Sequence, residues 1–552
     1  MVGIFFEFLC YNSLMSKNLG KGQINSIALA ATLVAIFSLV SRFLGVIRDR
    51  ILAGQFGAGE LLDIYYAAFR IPDLIFNLVV LGALSAGFIP IFTTLFKKEE
   101  SENKEAWYLA SNVLNFLSLA ILVLSIFGII FANPLVKVIA PGFNPEAQML
   151  TANLTRIMFL SPLFLGISGV LGGILQSTKR FLIYSIAPIV YNLGIIFGAV
   201  FLSKWCGIYG LAWGVVIGAF LHAAIQLPAV YRLGFHWSMV LNWRDKNTRK
   251  ISQMMIPRTL SLAVSQIGLL FTTIIASLLP SGTLAVFNFA NNLQSFPVGV
   301  FGVSFAIAAF PSFSEHAFEP KILIEKFSST MRQIMFFVIP TTVFIITLRA
   351  QIIRVVYGTG AFDWNDTVLT MNALGIFSIS LVAQAAAPLL VRVFYARHDS
   401  KTPLYIGGLS VLSNLILSWY LGKRMGVAGL AVAASVSSIL NFILLWIFLY
   451  IEIPILNAFP IFISALKYSA AALLSGVAIQ ISKIAVWPFI DMTTFKGVFI
   501  QLSASLLVGA LIYLFVCKML GSEEMKSFSK VLSKKLPFKK LNVGDQSEAR
   551  GN

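Results

Sequence analysis

Apolar runs of roughly 20 residues, the length an α-helix needs to cross about 30 Å of hydrocarbon, recur from one end of this chain to the other. A chain built this way has few folds open to it. In hydrocarbon every backbone polar group must be satisfied internally, so only helices and closed barrels span a membrane. No ten-residue alternation of the kind that marks a membrane barrel is visible. With 58% hydrophobic and 12% charged residues and a mean hydropathy of +0.85, the chain lacks the polar surface of a soluble protein its size. The reading is an all-α integral membrane protein of about 14 transmembrane helices between residues 25 and 518.

The net charge of +18 raises the question of nucleic acid, and its distribution answers against it. With the N-terminus inside, the inner loops and tails hold about 25 Lys and Arg and the outer loops about 9, a positive-inside bias. Both termini are then cytoplasmic. The densest segments, 231–250 and 526–540, suit orientation signals and contacts to anionic lipid headgroups. Cys10, Cys206 and Cys517 are scattered, and the four histidines are dispersed, so no metal site, cofactor or disulfide framework is readable. No phosphate-binding glycine loop with its lysine appears, which argues against direct nucleotide use. The outer loops are short and acid-poor, a weak basis for an enzyme.

Several stretches recur about 220 residues apart, at offsets near one helical repeat of the bundle. "SAGFIPIF" (85–92) returns as "AIAAFPSF" (306–313). "QSTKRF", with Asn192 downstream, is echoed by "HDSKTP" with Asn414, placing Lys179 opposite Lys401. "GIYGLAWG" (207–214) reappears as "GVAGLAVA" (426–433). About six spans fit in one repeat, and an even number leaves both halves facing the same way, related by a pseudo-twofold axis along the membrane normal. The expected layout is an N-terminal segment 1–24, an N-lobe 25–230, a linker 231–250, a C-lobe 251–450, two additional helices in 461–518, and a basic tail 519–552.

Ionisable groups inside a bilayer are expensive and ask for a partner or a wet cavity. The first repeat holds most of them. Arg42 and Asp49 are seven residues apart on one helix, with Arg48 and Arg50 beside Asp49. Asp63, Tyr66, Arg70 and Asn77 share a face of the next helix, and Asp73 stands at the edge of that face. If the two faces meet, they line a polar chamber whose arginine forks suit phosphate oxygens. The plainer alternative is that Arg48, Asp49 and Arg50 are loop charges and Arg42 pairs with Asp63. The matching stretch of the second repeat, "FNFANNLQSFP" (287–297), carries amides and no charge. Arg258 and Arg392 are that half's embedded cations.

"SRFLGVIRDRILAGQFGAGELLDIYYAAFRIPDL" (41–74), followed by "GALSAGFIPIF" (82–92), resembles the signature of the MviN/MurJ family; "APGF" (140–143), "FPVGVFGVSFAIAAFPSFS" (296–314) and "YARHDSKTP" (395–403) fit the same resemblance. It covers roughly residues 25 to 520. It implies two six-helix lobes around a cationic cavity, with the last two helices forming a groove for a lipid tail. It implies a flippase that carries lipid II, the undecaprenyl-pyrophosphate-linked peptidoglycan precursor, to the outer leaflet of the bacterial inner membrane by alternating access. The substrate-binding residues it points to are Arg42, Arg48, Asp49, Asp63 and Arg70, with Arg258 supplying further charge. It also implies charges at positions held here by Phe76, Asn77, Leu81, Asn291 and Asn292. The alternatives are an exporter of another polyprenyl-linked glycan or an amphipathic drug, and a transport-inactive scaffold for cell-wall synthesis machinery.

Overall fold

The structure is a computed structural model and describes residues 23–82, 84–96, 103–454 and 458–526. The expected N-terminal segment up to residue 22 and the basic tail beyond Lys526 lie outside the described residues, as do the side chains of Leu81 and Arg258. Among the described residues every regular element is helical and there is no strand. Ten helices among these residues are long and apolar enough to cross a membrane, or eleven when Trp364–Ile379 and Leu381–Ala396, joined by a 46° bend, count as one broken span. Three of the fourteen expected spans fall on Gln23–Phe56, on the interrupted helix that starts at Glu60, and on Lys246–Ser277. Some of their side chains lie outside the described set, and they are not among the ten or eleven.

Helix starts follow local chemistry. The side chains of Asn144, Asp245 and Thr494 each accept a hydrogen bond from a backbone N–H three residues on, satisfying a donor that the first turn leaves open. Glycines set the closest packing. A Cβ on Gly194 would lie 2.3 Å from the Cα of Gly218, and one on Gly198 would lie 2.4 Å from the Cα of Gly214. The helices Phe181–Phe197 and Tyr209–Ala224 therefore touch backbone to backbone, as membrane helices do where small residues recur every fourth position.

The backbone carries the repeat more plainly than the side chains do. A π-helical turn interrupts the first half at Phe76–Leu81, and another interrupts the second half at Val298–Val303. The left-handed Gly207 (φ 56°) has its counterpart in Gly426 (φ 59°). Among the described residues, Lys179 and His398 are the two non-glycine residues with positive φ, at 61° and 65°. Each ends a helix the same way, the next N–H reaching back five residues: Arg180 to the Leu175 carbonyl at 2.7 Å, and Asp399 to the Phe394 carbonyl at 2.9 Å. This corrects the expected register. Lys179 stands opposite His398, not Lys401, because the helix-ending turn, which residue types mark poorly, fixes the alignment.

The chain forms two compact units, and their border does not follow the expected break at 231–250. The first holds the described residues up to Leu293, with Val356–Ala373 and Gly407–Ser437. Segment 231–250 lies inside it and is strapped to the helix Lys104–Ile130. Asn115 donates to the carbonyls of Ser238 and Val240, and Asn112 donates to Asn242 O and accepts from Asn242 N. Its basic residues Arg232, Arg244, Lys246, Arg249 and Lys250 remain exposed. The second unit holds Gln294–Val355, Leu374–Ile406 and the residues from Ser438 on. Its core gathers Phe327, Phe336, Tyr468 and Tyr513, so the last two helices pack into this unit, and Tyr513 donates to the Phe336 carbonyl at 2.7 Å.

Candidate functional site

The helix Gln23–Phe56 runs unbroken through "SRFLGVIRDR", so Arg48, Asp49 and Arg50 are helical residues and not loop charges. Their directions differ. Arg50 donates to the Val356 carbonyl at 3.0 Å. Arg48 and Asp49 turn into a cavity of about 350 Å³ within the first unit. Tyr65, Tyr66, Arg70 and Asp73 enter the same cavity from the helix Glu60–Ile75, Tyr191 from Phe181–Phe197 and His222 from Tyr209–Ala224. Of the two faces expected from spacing, Asp49 on the first helix and Tyr66 and Arg70 on the second line this cavity, and Arg42, Asp63 and Asn77 do not.

Inside the cavity the two arginines are held differently. Arg48 sends Nε and Nη2 to one oxygen of Asp49, at 3.0 and 2.8 Å, and Nη1 to the Asn192 side chain at 3.1 Å. The other oxygen of Asp49 accepts from Asn292 at 2.8 Å. Asp49 is 2% exposed, and the pair is neutral as a unit. Arg70 donates Nε to the Thr273 hydroxyl at 2.9 Å and Nη2 to the side-chain amide oxygen Oδ1 of Asn288 at 3.2 Å. Those two acceptors are themselves fixed, since Thr273 donates to Leu269 O and Asn288 to Leu284 O. Among the described residues no carboxylate lies within 4 Å of Arg70. Neutral acceptors fix its direction, and Asp73, one turn on in the same cavity, acts on its charge without an ion pair at 4 Å.

The remaining sequence candidates go elsewhere. Arg42 is exposed on the first helix and does not line the cavity. Asp63 forms no ion pair with Arg42; its two oxygens accept the backbone N–H groups of Gly282 and Ala285, each at 2.7 Å. It thereby caps the helix Thr283–Pro297. Asp63 shares a face with Arg70 but sits two turns away, about 10 Å along the axis, level with the start of that neighbouring helix. Arg258 stands on Lys246–Ser277, with its side chain outside the described residues. Spacing did not reveal Asn192, Tyr191 or His222 as part of this site. Tyr191 and Asn192 stand side by side on one largely apolar helix and His222 on another, and a polar group in such a setting was the available signal. The Tyr66 hydroxyl is buried with no hydrogen-bond partner, and the His222 ring nitrogen meets the Ser168 hydroxyl.

A helical protein with this many membrane-length spans, and with paired and unpaired charges buried around one cavity, has the construction of a membrane transporter. Solved transporters share its fold. A multidrug resistance transporter of the MATE family, in an inward-facing conformation, matches over 77% of this chain and 98% of its own, with a TM-score of 0.63 at 14% identity. A structure described as lipid II flippase MurJ, inward closed conformation, matches over 89% of this chain and 98% of its own, with a TM-score of 0.73 at 25% identity. The family model for lipid II flippase MurJ matches residues 52–500. A probable lipid II flippase MurJ of Buchnera aphidicola subsp. Acyrthosiphon pisum is 30% identical over 508 residues, covering 90% of this chain and 98% of the relative. The lipid II flippase MurJ of Burkholderia cenocepacia is 29% identical over 427 residues, covering 75% and 82%. The chain belongs to the MurJ lipid II flippase family.

Proposed function

We propose that this chain carries lipid II from the cytoplasmic to the outer leaflet of the bacterial inner membrane, as a transporter and not an enzyme. One observation carries the assignment of the site: Arg70 is a permanent cation in the cavity, aimed by neutral acceptors and lacking a carboxylate at contact distance. The diphosphate that links the polyprenyl chain to the sugar is the anion such a group suits. Arg48 is committed to Asp49 and contributes the rigid wall beside it. Arg42, exposed on the same helix, meets the headgroup on its approach. Arg258 adds charge to the path. Asp63 serves the frame and not the cargo.

The cavity opens alternately to the two sides of the membrane while the lipid tail stays in the bilayer along the last two helices, because drawing a long hydrocarbon chain into a polar chamber forfeits its burial. Both termini face the cytoplasm, where segment 231–250 and the tail meet anionic lipid, and the tail offers a docking site for cell-wall synthesis machinery.

The test is complementation in a bacterium depleted of its own flippase, with lipid II on the outer face as the readout. Rescue by the intact chain, lost in an Arg70→Ala variant that inserts normally, is the expected result. Rescue that survives Arg70→Ala would remove the site, and no rescue by a correctly inserted intact chain would remove the cargo.

A further inference from the structure

Within the second unit, two cations converge on one turn of the helix Pro320–Val356. Arg349 donates Nη1 to the Ile346 carbonyl at 2.7 Å, and Lys483 donates Nζ to the neighbouring Thr347 carbonyl at 3.2 Å. The two are near enough for the charge of Arg349 to act on Lys483. Both are half-buried, and among the described residues no carboxylate lies within 4 Å of either. Like charges brought together beside hydrocarbon repel strongly, because little water screens them. An anion accepting from both would relieve that repulsion.

The surroundings hold this pair in place and indicate its depth. The stem of Arg349 passes Gly375, where a Cβ would lie 3.2 Å from its Cδ, so the absence of a side chain at 375 makes the room it occupies. Beneath Lys483, Gln501 donates to its backbone carbonyl at 3.0 Å and accepts from Gln351 at 2.9 Å. Lys483 lies in the last turn of Phe459–Val486, and Trp487 and Phe489, 60% and 86% exposed, follow at once. Aromatic residues at a helix end mark the level where lipid headgroups lie. Arg349 is seven residues from its own helix end, roughly 10 Å.

We propose that Arg349 and Lys483 form a binding site for a lipid phosphate at the membrane–water interface, on the helices Pro320–Val356 and Phe459–Val486. The phosphate oxygens accept from the donors that Arg349 and Lys483 do not spend on carbonyls. The site takes either the phosphate of a surrounding phospholipid or the diphosphate of a polyprenyl lipid. It does not depend on which cargo the cavity accepts.

The test is lipid binding to the purified full-length chain by native mass spectrometry. The probes are phosphatidylglycerol, undecaprenyl diphosphate and uncharged diacylglycerol, offered to the wild type, to Arg349→Gln/Lys483→Gln, and to the conservative Arg349→Lys and Lys483→Arg. The expected result is a loss of about tenfold or more in affinity for a phosphate lipid in the double variant, with diacylglycerol unchanged and the conservative variants close to wild type. A loss confined to undecaprenyl diphosphate assigns the site to a polyprenyl lipid; an equal loss for both phosphate lipids assigns it to the headgroups of the bilayer. Undiminished binding of both by the double variant overturns the proposal, as does an equal loss of diacylglycerol. If the double variant does not fold, the single Lys483→Gln decides on the same terms, since it removes a repulsion and keeps the stem.

Discussion

The helices that begin at Glu60 and at Thr283 share a backbone plan and differ in chemistry. Each runs into a π-helical turn, at Phe76 and at Val298, 222 residues apart. At that spacing Asp63 corresponds to Ala285, Tyr66 to Asn288 and Arg70 to Asn292. The first helix kept or gained charge, and the second carries amides. Those amides are not idle: Asn288 accepts from Arg70, and Asn292 donates to Asp49. Even the neutral Ala285 offers its N–H to Asp63. A duplicated pair of helices has thus become a set of charges and the neutral partners that orient them. The charged copy supplies the charges, and the uncharged copy holds them in position.

Stability measurements sharpen this contrast. The largest effect is expected from Arg48→Ala, which leaves Asp49 buried and unpaired, at a cost of about 3–5 kcal/mol in the unfolding free energy. Adding Asp49→Ala should recover most of that, and a double variant as unstable as the single one would break the ion-pair account. Next comes Asp63→Ala, which strands two backbone N–H groups at a helix start and costs about 2 kcal/mol. Its counterpart Ala285→Ser keeps the N–H that Asp63 accepts and should cost less, about 1 kcal/mol for the buried hydroxyl, so equal effects at the two positions would deny the difference between the copies. Asn292→Ala removes one hydrogen bond to a carboxylate and should cost about 1.5 kcal/mol. The smallest change is expected for Asn288→Ala, about 1 kcal/mol, and its clearer consequence is a weaker grip on Arg70, read as reduced lipid II binding.

Much of this was legible in the residues. The spacing of Tyr66 and Arg70 placed them on one face, and the helix carrying Arg48 and Asp49 brought a second face to meet it. Spacing could not tell how far along a shared face each group is used. Asp63 and Arg70 project the same way, yet Asp63 sits at the level of another helix's first turn and is consumed there. Partners that come from 144 or more positions away, such as Asn192 for Arg48 and Asn292 for Asp49, are chosen by tertiary packing and leave no local pattern. The repeat was visible, but its register slipped by three residues at Lys179, because a left-handed helix end is a backbone event that two different side chains serve equally well.

The central claim is that Arg70 is the cation left open for the cargo while Arg48 is spoken for. The most direct measurement is the affinity of the purified chain for lipid II in the wild type and in Arg70→Gln, with the thermal midpoint of each recorded alongside. The account predicts binding weaker by about tenfold or more with little change in midpoint, the signature of losing a charge-assisted contact to the ligand. Unchanged affinity in a folded Arg70→Gln variant would contradict it and return Arg70 to the frame of the protein.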